Sequence, residues 1–146
     1  LAEVWQRAGY AISTDPARLD VDVIHAFLSR SYWAQGIPRE RVERSLRGSL
    51  CFGLYHGSQQ VGFARVISDC ATFGYLADVF VLEAHRGRGL SKWLLECVLA
   101  HPELQGFRRF LLATLDAHGL YERYGFRPLA QPERYMEIVR PEVYAR

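Results

Sequence analysis

Residues Tyr75 to Ala100 constrain the fold more than any other stretch. Tyr75 to Leu82 is an apolar run of strand length, and its side chains alternate between two faces. One face carries Leu76, Asp78, Phe80 and Leu82, and the other carries Tyr75, Ala77, Val79 and Val81. A basic turn follows at once, Arg86-Gly87-Arg88-Gly89-Leu90-Ser91. Leu90, Trp93, Leu94, Cys97 and Val98 then recur at helical spacing, and His101-Pro102 ends the helix. A buried strand that runs through glycines into a helix presents unpaired N–H groups at the turn. Glycine removes the Cβ that would keep an anion away, and the helix start adds partial positive charge. Arg86 and Arg88 add full charges. The segment therefore reads as a phosphate or pyrophosphate cradle.

The rest of the chain supplies a mixed sheet around it. Tyr10 to Thr14 alternates weakly and reads as a first strand. Asp20 is an N-cap for a helix carrying Val21, Ile24, Phe27 and Leu28. Pro38 opens a second, charged helix with Arg39, Glu40, Arg41, Glu43 and Arg44, and Gly48 closes it. Leu50–His56 and Gln60–Ser68 read as strands joined at Gly57-Ser58. Phe110 to Thr114 reads as a buried strand, and Ala117 to Tyr124 as a short helix ended by Gly125. Phe126–Leu129 and Tyr135–Val139 read as the last strands. Hairpins first and a helical crossover later predict an α/β (α+β) domain with a mixed, mostly antiparallel sheet.

Charge and cysteine content narrow the function. The chain has 146 residues, the length of a single domain over 1–146. Lys and Arg total 18 against 16 Asp and Glu, a balance of +2 that gives no reason to expect nucleic acid as a partner. No apolar run approaches the roughly 18 residues that cross a bilayer, so no membrane partner is expected. Cys51, Cys70 and Cys97 form no CxxC, and the five histidines show no metal spacing, so no metal is expected. Unpaired cysteines and the lack of a signal-peptide pattern point to the cytoplasm. The first residue is Leu1 rather than Met, which fits a trimmed or unrecorded start.

Three phosphate motifs compete for the turn. A Walker A loop fails, because no glycine stands correctly before Lys92. A dinucleotide fingerprint fails at its third glycine, which is Lys92 here. Arg86-Gly87-Arg88-Gly89-Leu90-Ser91 resembles the R-x-x-G-x-[G/A] pyrophosphate loop of the GCN5-related N-acetyltransferases (GNAT), with Ser91 in the last small position. Leu120-Tyr121-Glu122-Arg123-Tyr124-Gly125-Phe126 resembles the LYxxxGF segment of the same family, downstream and after one more strand. The order of elements also resembles the family's, from about Tyr10 to Val139.

The resemblance implies the acyl-CoA N-acyltransferase fold, with about seven strands and about four helices. It implies that the strands at Tyr75–Leu82 and Phe110–Thr114 splay apart around the pantetheine of acetyl-CoA. Val79, Phe80 and Val81 would face the pantetheine, and Arg86, Gly87, Arg88, Gly89, Leu90 and Ser91 the pyrophosphate. Thr114 stands where the family often has a cofactor-binding Asn. Tyr121 matches the motif tyrosine, a cofactor contact and general acid toward the CoA sulfur. Tyr124 is read as core or pocket wall.

The implied reaction is acetyl transfer from acetyl-CoA to the primary amine of a small-molecule or amino-acid-like acceptor, by direct attack in a ternary complex. An alkyl ammonium has a pKa near ~10 and must lose a proton first. Asp78 is the candidate base, as a desolvated mid-strand acid. Glu83 is the alternative at the strand end, and Asp116 and His118 are near enough in sequence to reach the cleft. Tyr32 and Trp33 are candidate acceptor contacts, or else packing residues between two helices. Two other readings stand beside this one: a non-catalytic acyl-CoA-binding module, and a protein N-acetyltransferase. A homodimer through the C-terminal strands fits each of them.

Overall fold

The computed structural model describes residues 1–145. Its centre is a six-stranded sheet in the order β1-β2-β3-β4-β5-β6. The strands are β1 (Val4–Arg7), β2 (Tyr10–Ser13), β3 (Leu50–His56), β4 (Gln59–Ser68), β5 (Phe73–Val81) and β6 (Arg109–Leu112). Every neighbouring pair is antiparallel except β5 and β6, which run parallel. That single parallel pair requires a crossover, and helix α3 (Leu90–Ala100) supplies it. Helices α1 (Val21–Leu28) and α2 (Arg39–Arg47) lie between β2 and β3, and the short α4 (His118–Glu122) follows β6.

Each sheet face has its own core. Ile12, Phe52, Leu54, Ala64, Val66, Leu76 and Val81 pack with Leu90, Trp93, Leu94 and Val98 of α3. On the other face, Phe63 and Phe80 pack with Ile24 and Leu28 of α1 and Val42 of α2. Asp20 caps α1 by accepting from the Val23 N–H at 3.3 Å. No helix is long and apolar enough to cross a membrane among the described residues.

The structure departs from the sequence reading at both ends. Val4–Arg7 is a strand, paired with β2 through a turn at Ala8 (φ 51°) and Gly9 (φ 85°). Two consecutive left-handed residues suit a tight hairpin, but Ala-Gly is a weaker cue than Asn-Gly or Asp-Gly. At the other end, neither Phe126–Leu129 nor Tyr135–Val139 forms a strand, so the sheet has six strands rather than about seven. Pro128 lacks an N–H for any ladder. Tyr135–Val139 alternates as a strand would, but no neighbour among the described residues pairs with it, and Met136 (97%) and Ile138 (84%) are left exposed.

Strand β5 is also irregular. Phe63 pairs with Phe80, but Arg65 pairs with Ala77, so two residues of β5 oppose one of β4. This is a bulge, and Asp78 takes φ 56° within it. The regular alternation expected for Tyr75–Leu82 therefore breaks. Leu76 and Val81 share the α3 face, whereas Phe80 points to the α1–α2 face.

Candidate active site

The site starts where β5 and β6 part. Their pairing runs from Phe73 and Arg109 to Leu76 and Leu112 and stops there. Beyond it, Ala77 to Val79 of β5 and Ala113 to Ala117 after β6 border an open cleft of about 920 Å³. The splay implied by the resemblance is thus present, between residues 77–79 and 113–117.

Backbone polarity on the β5 side follows from alternation. The Leu82 N–H donates to Val61 O at 2.8 Å, toward β4. The backbone N–H and C=O of its neighbour Val81 then point away from β4, and the carbonyl accepts from Arg86 Nε at 2.8 Å. Of the three residues expected to face the cofactor, Val79 lines the opening, whereas Val81 is buried in the α3-side core. Phe80 turns its side chain into the core, stacked on Phe27 at 4.0 Å.

The glycine turn lies at the end of β5. Gly87 (φ 79°) and Gly89 (φ 74°) are left-handed, and nothing crowds either Cβ position. Their requirement is conformational, and the space in front of the turn is open. No side chain caps the N-terminus of α3, so its first N–H groups stay available for an anion. Arg88 is exposed, whereas Arg86 folds back to hold the end of β5. Behind the turn, Tyr10 Oη and His85 Nδ1 form a 2.8 Å hydrogen bond that ties it to β2.

Asp78 is not the isolated acid that a regular strand would bury. Arg65 Nε donates to its Oδ2 at 2.8 Å, and Trp33 Nε1 donates to its Oδ1 at 2.8 Å. The Asp78 side chain is 9% exposed and that of Arg65 is 15%. Arg65 also donates from Nη1 to Ser49 Oγ at 3.0 Å. Arg65 is the one charged residue of β4. No motif contains it, although a charge inside so apolar a strand is a usable signal. Glu83 lies in the 3-10 turn Glu83–His85, exposed and outside the residues that line the cleft.

The loop between α1 and α2 crosses the cleft mouth. Tyr32 Oη accepts from the Leu115 N–H at 3.1 Å on the β6 side, and Trp33 reaches Asp78 on the β5 side. Their rings meet edge to face at 5.1 Å. Arg41, Arg44 and Tyr144 complete this wall, and no motif in the sequence marks any of them for the site. Tyr144 also packs on the α1–α2 core.

Tyr121 comes from α4 and lines the cleft opposite β5. Burial holds its phenol above the ordinary value, with a smaller contribution from Tyr32. Its hydroxyl has no hydrogen-bond partner among the described residues. Thr114 lines the same wall, and its Oγ1 accepts from the Ala117 N–H at 3.1 Å, which steadies the approach to α4. Tyr124 donates from its hydroxyl to Glu96 at 2.8 Å and is a wall residue. Asp116 lines the cleft, whereas His118 lines a separate cavity of about 620 Å³ along the free edge of β6. Tyr121 borders both cavities.

Comparison with known proteins agrees with this geometry. The family model described as Acetyltransferase (GNAT) domain matches residues 47–128. A crystal structure from Xanthomonas campestris, described as a candidate GNAT acetyltransferase, is 54% identical. It superposes with a TM-score of 0.93 over 97% of this chain and 100% of that one. A candidate acetyltransferase of Gibberella zeae is 39% identical, over 80% of this chain and 78% of its own. A GNAT acetyltransferase of Elizabethkingia anophelis, solved with acetyl-CoA bound, shares the fold at 15% identity, with a TM-score of 0.64 over 90% of this chain and 88% of that one. The glycine turn, the splayed strands and these matches converge on one assignment: the chain belongs to the GNAT family of acetyltransferases.

Proposed function

We propose that the protein transfers the acetyl group of acetyl-CoA to the primary amine of a small-molecule or amino-acid-like acceptor, within the cleft between β5 and β6. The observation that carries this reading is the continuity of three features along one path. The uncapped glycine turn follows the end of β5, Val79 borders the opening before it, and Tyr121 lines the wall opposite β5.

In this reading Gly87 to Ser91 and Arg88 hold the pyrophosphate by backbone N–H groups and one charge. Acetyl-CoA, once bound, supplies a thioester as the acetyl donor. The Val81 N–H, with that of Val79, lines the pantetheine arm, and Thr114 flanks it from the β6 side. A backbone N–H aimed at the thioester oxygen stabilises charge as it develops there. The acceptor nitrogen forms a bond to the acetyl carbon, and the carbon–sulfur bond breaks. Tyr121 gives its proton to the departing sulfur and regains one, directly or through water, as the nitrogen loses its second proton to become the amide. Asp78 takes the proton that the ammonium releases, directly or through water, and Arg65 and Trp33 fix its orientation.

Tyr32 and Trp33 form the mouth through which the acceptor enters. The test is incubation with acetyl-CoA and a panel of primary amines, reading free thiol. Thiol release that depends on the amine is the expected result. Acetyl-CoA binding without release across the panel would leave a binding module instead. Release with peptide amines alone would make the acceptor a protein.

A further inference from the structure

The acceptor side of the cleft carries positive charge that the fold does not use. Arg41, Arg44 and Arg65 line it, against Asp78 and Asp116. Arg65 is committed to Asp78. Arg39, on the same helix as Arg41 and Arg44, is committed to Asp22 and Glu43. Neither Arg41 nor Arg44 has a carboxylate within ion-pair distance among the described residues.

Helical geometry makes these two a pair. Positions three apart on α2 share a face, and here that face borders the cleft. Arg47 belongs to the same last turn as Arg44 but does not line the cleft. Compensation of the helix dipole would account for Arg44 and Arg47 alike. It does not account for the placement of Arg41 and Arg44 beside Tyr32, Trp33 and Asp78. Two guanidinium groups on one wall present forked donors suited to a carboxylate.

We propose that the acceptor bears a carboxylate besides its amine, and that Arg41 and Arg44 receive that carboxylate while the amine lies toward Asp78. This rests on the acetyl-transfer reading for the amine end alone. The arginine wall is a binding statement and can be tested without turnover. The cleft would then be polarised along its length, cationic at α2 and anionic at the β5 bulge. Such a site holds a zwitterion in one direction and disfavours a plain diamine, which would set its second ammonium against the arginines.

The experiment uses the whole chain with CoA present. Calorimetric binding and thiol release are measured for a series of amino carboxylates, from glycine to aminohexanoate, each beside its primary amide. At least one acid should bind about tenfold or more tighter than its amide, the scale of a charge-assisted contact. Arg41→Gln with Arg44→Gln should erase that difference, and Arg47→Gln should preserve it. Equal use of acid and amide, or a preference for the amide, would overturn the proposal while leaving acetyl transfer intact. An effect of Arg47→Gln equal to that of the double variant would overturn it as well, by making the effect one of general charge. Acid-selective binding without any thiol release would support the arginine wall and count against acetyl transfer.

Discussion

The Trp33 indole donates to the Asp78 carboxylate at 2.8 Å, joining the α1–α2 loop to the one left-handed residue of β5. The bulge turns Asp78 out of the strand's alternation, and Arg65 takes its other oxygen. The acid at the centre of the cleft is therefore held by one strand neighbour and one loop residue. Replacing Trp33 by Phe keeps the aromatic packing and removes the donor. The acceptor KM should rise about tenfold, the scale of one hydrogen bond to a charged group, while the KM for acetyl-CoA stays constant. Steady-state kinetics with each substrate varied in turn checks this, and a matching change in both KM values would contradict it.

Tyr121→Phe tests the acid role. The variant loses only a hydroxyl that has no partner among the described residues, so its thermal midpoint should match the parent's. Its kcat should fall by roughly 10²-fold or more, the usual contribution of a positioned proton donor. The pH profile carries a sign. Burial raises the Tyr121 pKa, so the phenol keeps its proton beyond the ordinary tyrosine value. An alkaline limb due to Tyr121 must then lie above pH about 10 and vanish in the variant. A limb well below that value which survives Tyr121→Phe belongs to another group.

Gly89→Ala tests the anion cradle. Gly89 has φ 74° with open space around its Cβ position, so alanine there strains the backbone without a clash. The cost should be about 1–2 kcal/mol, read as a lower thermal midpoint. CoA affinity should fall with it, because the turn either relaxes or presents a methyl group to the phosphates. Isothermal titration with CoA gives the affinity. Unchanged affinity in a folded variant would place the pyrophosphate elsewhere.

Thiol reactivity should separate the three cysteines. Cys51 and Cys97 are buried, and burial pushes both thiols up to about 12. Cys70 is exposed. A thiol reagent at neutral pH should label Cys70 alone in the folded chain, because the thiolate is the reactive form. Peptide mapping reads this, and rapid labelling of Cys51 would contradict the burial.

Much of this arrangement is legible in local sequence. Arg86 to Ser91 and Leu120 to Phe126 are contiguous, and their chemistry needs no distant partner to be recognised. The hairpin at Gly57-Ser58 and the Asp20 cap are equally local. What local sequence does not show depends on contacts between segments far apart in the chain. The bulge at Asp78 is a mismatch of register between β4 and β5, and alternation within β5 gives no sign of it. Arg65, Arg41 and Tyr144 join the cleft only because three separate elements converge there. Tyr135–Val139 shows the reverse. Its alternation is that of a strand, but a strand also needs a neighbour, and the described residues offer none.

A structure of the protein with acetyl-CoA bound tests the central claim most directly. The pyrophosphate should lie on the Gly87–Ser91 turn, and the pantetheine should run between Val79–Val81 and Thr114. The sulfur should come within hydrogen-bond distance of the Tyr121 hydroxyl, with the acetyl group directed toward Asp78. Pantetheine in the 620 Å³ cavity along the free edge of β6, with the β5–β6 opening empty, would contradict the account.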